Sequence, residues 1–535
     1  MLDLDFLLQL LVLAFFIVAF CLFVFIKYGS RNHDYWLKKG IPYVPPLPFF
    51  GSTLENLRKP LYQIQIERYR QLGPIHGFFE ANTPILTIGD PAILRDIMVK
   101  VFPSFTGRRK VVTGDKVVDN MVSIVNGEDW KRIRSIITPT FTTGKLKRML
   151  SIFKDCSETL VNNFRAAAEE GKPVDVKRVY GAFTMDVIAS AAFSTKIDSH
   201  NDPDNTFVKA AKSLFGGEPG KLFVLLMLFP KLRKLLRLIH PAASRPTEFF
   251  REITLQIVEQ RKKSGQVRND FLQLLMDTAK EVSEEEKWEE NKGDIDSNYA
   301  EQNAGQQMFK TVTSKRLSMD ELVSQCVIFF LAGYETTAST LSFASYLLAL
   351  NQDVQDKLRE EVDKALAETN GELTYETVQN MKYLDNVISE TLRIFPPLVR
   401  LERYADADYK LLGLDVTIPK NSCINIPVYA MHRDPNYFPD PERFDPDRFT
   451  AEEKAKRDPF TYIPFGAGPR NCIGMRFALL EIKVCLSYIL GNFKIKRSPK
   501  TKDKLEFQLG AVTGLLNAKE IIVEMEVRPV SRLVN

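Results

Sequence analysis

The chain has 535 residues, of which 45% are hydrophobic and 26% are charged, and its formal net charge is +5. These proportions are typical of a globular protein with a sizeable core, and the small net charge gives no support to nucleic-acid binding. The 6 cysteines lack the paired spacing of a disulfide framework or a zinc site, which fits a reducing compartment.

The first predicted element is a membrane-spanning helix. Residues 6–26 are almost entirely apolar, and a run of about 20 such residues is long enough to cross the hydrocarbon core of a bilayer. Asp3 and Asp5 precede this run, whereas Lys27 and Arg31 follow it. The excess of basic residues on the C-terminal side predicts an uncleaved signal anchor with the rest of the chain in the cytoplasm. A cleaved signal peptide is the alternative, but its apolar core is normally shorter and preceded by basic residues.

The sequence predicts three divisions of the chain. Residues 1–27 form the signal anchor, residues 28–50 form a basic and proline-rich linker, and residues 51–535 form one large domain. The prolines of the linker fix an extended and fairly stiff backbone, which is poorly suited to a helix that continues from the anchor.

Most of the large domain has a helical pattern, with apolar residues three and four positions apart. Residues 75–79 and 85–88 are apolar runs that predict a β-hairpin with its turn at residues 82–84. Residues 520–527 alternate and are rich in β-branched side chains, which indicates a second small sheet. The predicted fold class is therefore mainly α with small β-sheets.

Two further segments have an unusual composition. Residues 221–239 alternate leucines with basic residues, which predicts either a helix that contacts the membrane surface or a buried helix pair. Residues 281–301 are acidic and poor in aliphatic side chains, which predicts a solvated insertion.

A long apolar helix is predicted to begin at the capping box Ser318-Met-Asp-Glu321. Residues 322–350 would extend it for about 43 Å, given a rise of 1.5 Å per residue. The alternative is a second transmembrane helix. Gly333 and Glu335 in the middle of the run argue against it, because a carboxylate is costly in lipid and usually marks a functional site.

The most informative segment is Phe465-Gly-Ala-Gly-Pro-Arg-Asn-Cys-Ile-Gly474, which directly precedes an apolar helical run over residues 475–489. Its glycines permit positive φ angles and a close approach to the backbone. Cys472 stands where backbone N–H groups and a helix N-terminus favour a thiolate. A lone thiolate suits a single metal ligand at a cofactor, as in haem bound through a cysteine. A structural cysteine in a glycine-rich turn is the alternative.

The segment resembles the haem-binding signature of the cytochrome P-450 superfamily, Phe-x-x-Gly-x-Arg-x-Cys-x-Gly. The resemblance implies the haem-thiolate monooxygenase fold for the large domain, haem b as cofactor and Cys472 as the axial ligand of the haem iron. It covers essentially the whole chain after the anchor, and the chain is similar to the microsomal 3A subfamily and its clan. The matching positions are Phe465, Gly468, Arg470, Cys472 and Gly474.

The middle of the long helix matches the oxygen-binding motif of the same superfamily, Ala332-Gly-Tyr-Glu-Thr-Thr337. The match implies that Gly333 lets haem and O₂ approach the backbone, that Thr336 hydrogen-bonds the bound oxygen and that Glu335 helps to relay protons. Cleavage of the O–O bond requires controlled delivery of protons. The alternative for the threonines is a hydrogen bond to the preceding helical turn, which we expect of Thr337 more than of Thr336.

Two further sets of residues match motifs that support the haem site. Glu390 and Arg393 match the ExxR motif, and Arg443 in Pro441-Glu-Arg-Phe444 matches the third member of its salt-bridge network, a structural role. Haem propionates need fixed cationic partners, which the guanidinium fork provides. The resemblance implies that the propionates are bound by the pair Trp130 and Arg134, by Arg470 and by the further partners Arg108 and Arg403.

The resemblance implies that the protein inserts one oxygen atom from O₂ into lipophilic small molecules such as xenobiotics, steroids or lipids. Electrons would come from NADPH through a separate flavoprotein reductase, because the chain has no flavin or nicotinamide fingerprint, and cytochrome b5 is a further expected partner. Lys131 and Arg132 would contribute to a basic patch for that donor, or simply to a solvated face. The expected location is the endoplasmic reticulum membrane, with a single span and a cytoplasmic catalytic domain.

Two alternatives to this function remain open. One is a haem-thiolate isomerase or dehydratase that works on peroxides without a reductase. The other is a non-enzymatic haem sensor or carrier, which would bind ligands without NADPH-driven turnover.

Overall fold

The fold is mainly α-helical with small β-sheets, as the sequence predicts. The expectations for residues 221–239 and 281–301 concern segments outside the described residues. A computed structural model describes residues 4–110, 113–215, 245–268, 270–279, 316–508 and 514–529.

The helices are numbered α1 to α18 in chain order over the described residues. Two of them frame the site described below: α12, here called the central helix, and α18, the cysteine helix. The bounds are Leu4–Gly29, Tyr35–Lys38, Leu61–Leu72, Pro91–Arg95, Lys116–Asp119, Gly127–Ile137, Thr143–Glu169, Val176–Phe193, Thr206–Phe215, Arg245–Ser264, Phe271–Ala279, Met319–Leu350, Gln352–Glu368, Tyr375–Asn380, Lys382–Ile394, Val428–Met431, Ala451–Ala455 and Met475–Asn492.

The strands form three small sheets within the described residues. A four-stranded sheet has the order β1-β2-β7-β4, in which only the β2–β7 pair is parallel. A three-stranded antiparallel sheet has the order β3-β9-β8, and β5 pairs with β6. In chain order the strands β1 to β9 are Ile75–Glu80, Thr83–Ile88, Val174–Asp175, Leu401–Tyr404, Tyr409–Lys410, Thr417–Ile418, Cys423–Ile426, Phe493–Lys496 and Ile522–Val527.

The expected hairpin is present as β1 and β2, but its turn is shorter than the sequence indicates. The pairing runs from Ile75 opposite Ile88 to Glu80 opposite Thr83, so Thr83 belongs to a strand and not to the turn. The two-residue turn is possible because Ala81 adopts a positive φ of 52°.

The central helix begins at the expected capping box. The Ser318 hydroxyl accepts a hydrogen bond from the Glu321 N–H, and the Glu321 carboxylate accepts one from the Ser318 N–H at 2.8 Å. The helix packs along α8, and 61% of its most apolar window is buried inside the protein. It is therefore a core helix of the domain, which explains why it is apolar without crossing a membrane.

The N-terminal helix is of a different kind. Its span Leu11–Gly29 has a mean hydropathy of 2.7 and is 0% buried, which makes it a candidate membrane span. The following linker is packed and not free: the Trp36 indole N–H donates to the Phe78 carbonyl of β1 at 3.3 Å. The rings of Phe25 and Phe49 lie 4.1 Å apart, so the linker also contacts the end of the anchor helix.

Candidate functional site

Residues 465–474, here called the cysteine loop, form a tight loop that leads into the cysteine helix. Gly466 and Gly468 have φ angles of +73° and +70°, and a methyl group added at Gly468 would lie 1.8 Å from the Met98 carbonyl oxygen. The Cys472 N–H donates to the Phe465 carbonyl at 2.8 Å, which closes the loop. Two left-handed glycines therefore place Cys472 just before the first turn of the helix.

The Cys472 thiol faces a recess inside the protein. The side chain has exposed surface, yet its burial within the fold raises the pKa of its thiol. Arg134, the Gly474 N–H and Arg108 act in the opposite direction. The predicted preference for a thiolate is thus opposed by desolvation, and the thiolate requires a further positive charge beside the sulfur, such as a metal ion.

Four arginines, one of them in the cysteine loop itself, lie together at this loop, and they are the four that the family resemblance implies as partners of the haem propionates. They come from different parts of the chain: the segment after β1 and β2, helix α6, strand β4 and the loop itself. Three of them hold the loop through its polar atoms. Arg134 donates to the Asn471 side chain at 2.8 Å, Arg108 to the Arg470 carbonyl at 3.2 Å and Arg403 to the Ala467 carbonyl at 3.4 Å.

Arg470 is itself fixed by contacts across the domain. Its guanidinium donates to the Thr106 carbonyl at 2.8 Å and to the Val125 carbonyl at 2.9 Å, and it lies 4.2 Å from the centre of the Trp130 ring. Trp130 is 1% exposed, and its ring faces this cation. Asn126 accepts from Arg470 at 3.0 Å and was not foreseen, because a single asparagine carries no sequence signal.

The arginine cluster fits a dianionic cofactor. Within the described residues, the buried atoms Arg134 Nε, Arg403 Nε and Arg470 Nη1 have no hydrogen-bond partner, and none of the four arginines has an ion-pair partner. Burial, followed by repulsion from the other three arginines, lowers the pKa of Arg470. Because arginine stays protonated in proteins, these cations require anions. The two propionates of a haem supply that charge, and Cys472 lies in the same loop as a ligand for its iron.

The central helix is linked to the cysteine loop through Phe141. The Phe141 ring lies 5.4 Å from the ring of Phe329 on the central helix and 3.9 Å from the position of a Cβ at Gly474. One turn further along the helix, Ala332 is exposed although its neighbours are largely covered. The motif of the central helix therefore has an uncovered surface at Ala332.

Gly333 packs closely against α8. A Cβ at Gly333 would lie 3.0 Å from Ile188 Cδ1 on α8. The close approach is thus between two helices. The Thr184 hydroxyl on α8 also donates to the Tyr334 carbonyl at 3.0 Å, which fixes the two helices at this turn.

The threonines of the motif behave in the opposite way to the expectation. The Thr336 hydroxyl donates to the Ala332 carbonyl at 2.6 Å, whereas the buried Thr337 hydroxyl has no partner among the described residues. Glu335 Oε1 is also buried, and it has no hydrogen-bond partner in the part of the chain that the structure describes. Burial raises the pKa of Glu335, and the nearby Lys177 lowers it.

The ExxR pair is fully buried, but its third cation is not the one that the sequence suggested. Arg393 donates to both carboxylate oxygens of Glu390 at 2.7 and 2.8 Å, and both side chains are 0% exposed. The next cation is Arg448, whose Nε lies 3.5 Å from Glu390 Oε1. The side chain of Arg443 is exposed, and only its carbonyl contacts Arg393. The assignment of Arg443 to the network is therefore wrong.

The sequence does carry the signal for the correct residue. The pattern Pro-x-Arg-Phe occurs twice in succession, at Pro441-Glu-Arg-Phe444 and at Pro446-Asp-Arg-Phe449. The second copy forms a 3₁₀ turn that packs on α15 (Lys382–Ile394), which carries Glu390 and Arg393 and is here called the ExxR helix. Only the three-dimensional contact decides between the two copies.

The two cations proposed for a basic patch on α6 are both paired with carboxylates. Lys131 lies 2.6 Å from Glu128, and Arg132 forms an ion pair with Glu321 of the central helix. Arg132 thus ties α6 to the start of the central helix. This arrangement favours a structural role for that face.

Comparison with known proteins identifies the same family as the residues of the cysteine loop. The sequence model of the family described as Cytochrome P450 matches residues 41–525, a range that contains the cysteine loop, the central helix and the arginine cluster. The chain is 39% identical to Cytochrome P450 3A7 of Homo sapiens over 516 residues, which is 96% of both chains. It is 38% identical to Cytochrome P450 3A11 of Mus musculus over 514 residues and 38% identical to Cytochrome P450 3A5 of Homo sapiens over 513 residues, in both cases 95% of each chain.

Proposed function

This chain belongs to the cytochrome P450 family of haem-thiolate monooxygenases, and on that premise we propose that it oxidises lipophilic small molecules with electrons from NADPH, delivered by a separate flavoprotein reductase. The observation that carries this proposal is the cysteine loop with its arginine cluster, in which Cys472 lies among four guanidinium groups that have no ion-pair partner within the described residues.

Different residues of the site would bind different parts of the cofactor. Bound haem supplies the activation of O₂, in which two electrons and two protons are consumed, one oxygen atom enters the substrate and the other leaves as water. Cys472 would ligate the iron. Arg108, Arg134, Arg403 and Arg470 would hold the propionates, while Trp130 supports Arg470 from below.

The central helix would deliver the protons. The Thr336 hydroxyl gives its own hydrogen to the Ala332 carbonyl, so its oxygen lone pairs remain to accept a hydrogen bond on the interior side. Burial raises the pKa of Glu335, so this carboxyl retains a proton at a higher pH than a free glutamate and suits the role of a proton donor. The two residues would act together in the order Glu335, then Thr336.

The N-terminal helix supports the choice of lipophilic substrates. Its exposed apolar span would hold the catalytic domain at a bilayer, where lipophilic molecules concentrate. We place the protein in the endoplasmic reticulum membrane with the domain in the cytoplasm, where a membrane-bound reductase and cytochrome b5 would serve as donors. The excess of basic residues after the span supports that orientation.

The first test is the difference spectrum of the reduced protein with carbon monoxide, recorded on membranes that contain the full chain. We expect the red-shifted Soret band of a thiolate-ligated ferrous complex, and we expect C472A to abolish it. C21A, which removes a thiol from the N-terminal helix, is the matched control and should leave the band unchanged. A C472A protein that kept the band would overturn the ligand assignment.

The second test is reconstitution with reductase and NADPH. Product formation that depends on both, with one oxygen atom derived from O₂, is the expected result. Turnover of peroxides without reductase would instead establish an isomerase or dehydratase, and ligand binding without turnover would establish a sensor or carrier.

A further inference from the structure

Asn126 stands at the start of helix α6 but does not cap it. It is the last residue before the helix, with φ and ψ angles of −130° and 170°, and its side chain makes no hydrogen bond to the first helical turn. An asparagine in this position usually accepts from an N–H of that turn, which stabilises the helix. The Asn126 side chain therefore gives up a favourable contact with α6, and its hydrogen bonds go to other partners.

The Asn126 amide joins two arginines of the cluster. Its Oδ1 accepts from the Arg108 backbone N–H at 2.7 Å and from Arg470 Nη2 at 3.0 Å. Its Nδ2 donates to the Ile124 carbonyl at 3.1 Å, which fixes the orientation of the amide. The Arg108 guanidinium in turn donates to the Arg470 carbonyl at 3.2 Å. One amide oxygen thus holds the backbone of one arginine and the guanidinium of the other.

The hydrogen bonds of Arg470 leave one part of its guanidinium available. Its Nε donates to the Thr106 carbonyl at 2.8 Å, and its Nη2 donates to the Val125 carbonyl at 2.9 Å as well as to Asn126. Nη1 is buried and has no hydrogen-bond partner within the described ranges of the chain. Because the guanidinium is planar and rigid, contacts that fix Nε and Nη2 also fix the direction of Nη1. Nη1 is therefore the donor that remains for an anion.

The acceptors that orient Arg470 among the described residues are all uncharged. Two are backbone carbonyls and the third is the Asn126 amide. The carboxylate that approaches this turn, Asp406, accepts from the Thr106 N–H at 2.8 Å, from the Thr106 hydroxyl at 2.6 Å and from the Gly107 N–H at 3.2 Å. A carboxylate in place of the Asn126 amide would pair with Arg470 and compete with an anionic cofactor. An asparagine orients the cation without neutralising it.

We propose that Asn126 is a positioning residue for the haem propionates: its uncharged amide oxygen orients Arg470 and Arg108 together and leaves Arg470 Nη1 with its positive charge for a propionate. The inference rests on the proposed function, since it concerns the cofactor of the same site. It assigns a task to a residue outside the set of arginines that the family resemblance implies.

Two substitutions separate the charge of Asn126 from its hydrogen bonds. N126D keeps the size of the side chain and an oxygen acceptor but adds a negative charge, whereas N126A removes the acceptor. A carboxylate is also a good cap at a helix start, so a merely structural role predicts that N126D is as stable as the parent or more stable. N351D and N351A are the matched controls. Asn351 also precedes a helix, α13, without capping it, and its Nδ2 donates to the Leu347 carbonyl at 2.7 Å.

The first experiment measures the rate at which the haem-loaded full chain loses haem to apomyoglobin, independently of turnover. We expect N126A to lose haem roughly three- to tenfold faster, because Arg470 loses a contact that fixes it. N126D should lose haem about tenfold faster or more, because the introduced carboxylate takes Arg470 from the propionate. N351D and N351A should match the parent. Parent-like haem loss in both N126A and N126D would overturn the proposal.

The second experiment measures the ferric–ferrous midpoint potential of the haem in the same variants. Negative charge beside the haem stabilises the ferric state, so we expect N126D to lower the potential and N126A to lower it less. Thermal unfolding of N126D should stay close to that of the parent. Equal potentials in N126D and the parent would overturn the inference while leaving the proposed function intact. A parent chain that bound no haem would overturn both, and the carbon monoxide band of the parent distinguishes these two results.

Discussion

Gly468 and Gly413 share almost the same backbone conformation but have very different surroundings. Their φ angles are +70° and +72°. A Cβ at Gly468 would overlap the Met98 carbonyl oxygen, whereas nothing lies within 4 Å of a Cβ at Gly413. The left-handed conformation alone costs other residues about 1–2 kcal/mol, so the remaining difference comes from contact with the backbone of Met98.

We therefore expect G468A to lose haem, because the cysteine loop must move away from Met98 to admit the methyl group. G413A should lower stability by only about 1 kcal/mol and retain haem. Haem per protein, together with thermal unfolding, distinguishes the two variants. Normal haem content in G468A would show that the loop adapts.

Thr336 and Thr337 offer a matched comparison at the oxygen-binding motif. T336V removes the hydroxyl that we assign to the proton path, and we expect more peroxide and less product per NADPH. T337V removes a buried hydroxyl that has no partner in the described structure, and we expect coupling to be unchanged and stability to stay equal or rise. If the two variants have the same coupling, Thr336 does not take part in proton delivery.

At the scale of elements, ion pairs of Glu390 connect the ExxR helix to the 3₁₀ turn Pro446–Phe449. Glu390 and Arg393 are completely buried, and removal of one partner from such a pair typically costs about 3–5 kcal/mol. Arg448 adds a second cation at 3.5 Å from Glu390. The turn directly precedes the segment that leads to the cysteine loop, so this fastening sets the position of the loop.

R448Q and R443Q test which copy of the repeated Pro-x-Arg-Phe pattern matters. We expect R448Q to lower the free energy of unfolding by about 1–3 kcal/mol, since it leaves Glu390 with one cation fewer. R443Q should change it by less than about 0.5 kcal/mol, because the Arg443 side chain is exposed. Urea unfolding of the haem-loaded protein measures both, and a larger effect of R443Q would reinstate the original assignment.

Local signals in the sequence predicted helices and strands well, but they predicted contacts between distant segments poorly. The capping box at Ser318 and the hairpin of β1 and β2 could be predicted, because their determinants lie within a few residues. Two contacts could not be predicted, because they depend on how separate segments pack: that of Arg448 with Glu390, and that of Gly333 with Ile188. Family resemblance supplied the arginine cluster, which no local pattern would have assembled.

At the scale of the whole molecule, the anchor and the domain are joined by packed contacts. The ring pair Phe25 and Phe49 joins the end of the anchor helix to the linker, and Trp36 joins the linker to β1. The linker thus connects the edge strand β1 of the four-stranded sheet to the end of the candidate membrane span. This geometry would fix how the domain faces the bilayer.

The orientation of the span can be tested with glycosylation acceptor sites. An acceptor placed before Met1 should be glycosylated in microsomes, because we expect a lumenal N-terminus, and one placed after Asn535 should not. The protein should also resist extraction by carbonate. Modification at the C-terminus instead would place the domain in the lumen and remove access to a cytoplasmic reductase.

The buried arginine cluster also bears on how much of this protein a cell maintains. Four guanidinium groups without ion-pair partners in the described structure penalise the folded chain until the cofactor binds, and binding to the folded state alone stabilises it by mass action. Chains made during iron or porphyrin shortage would spend more time unfolded and would be degraded by quality-control proteases. We expect the steady-state level of the protein to follow the supply of iron and porphyrin even when its messenger RNA is constant.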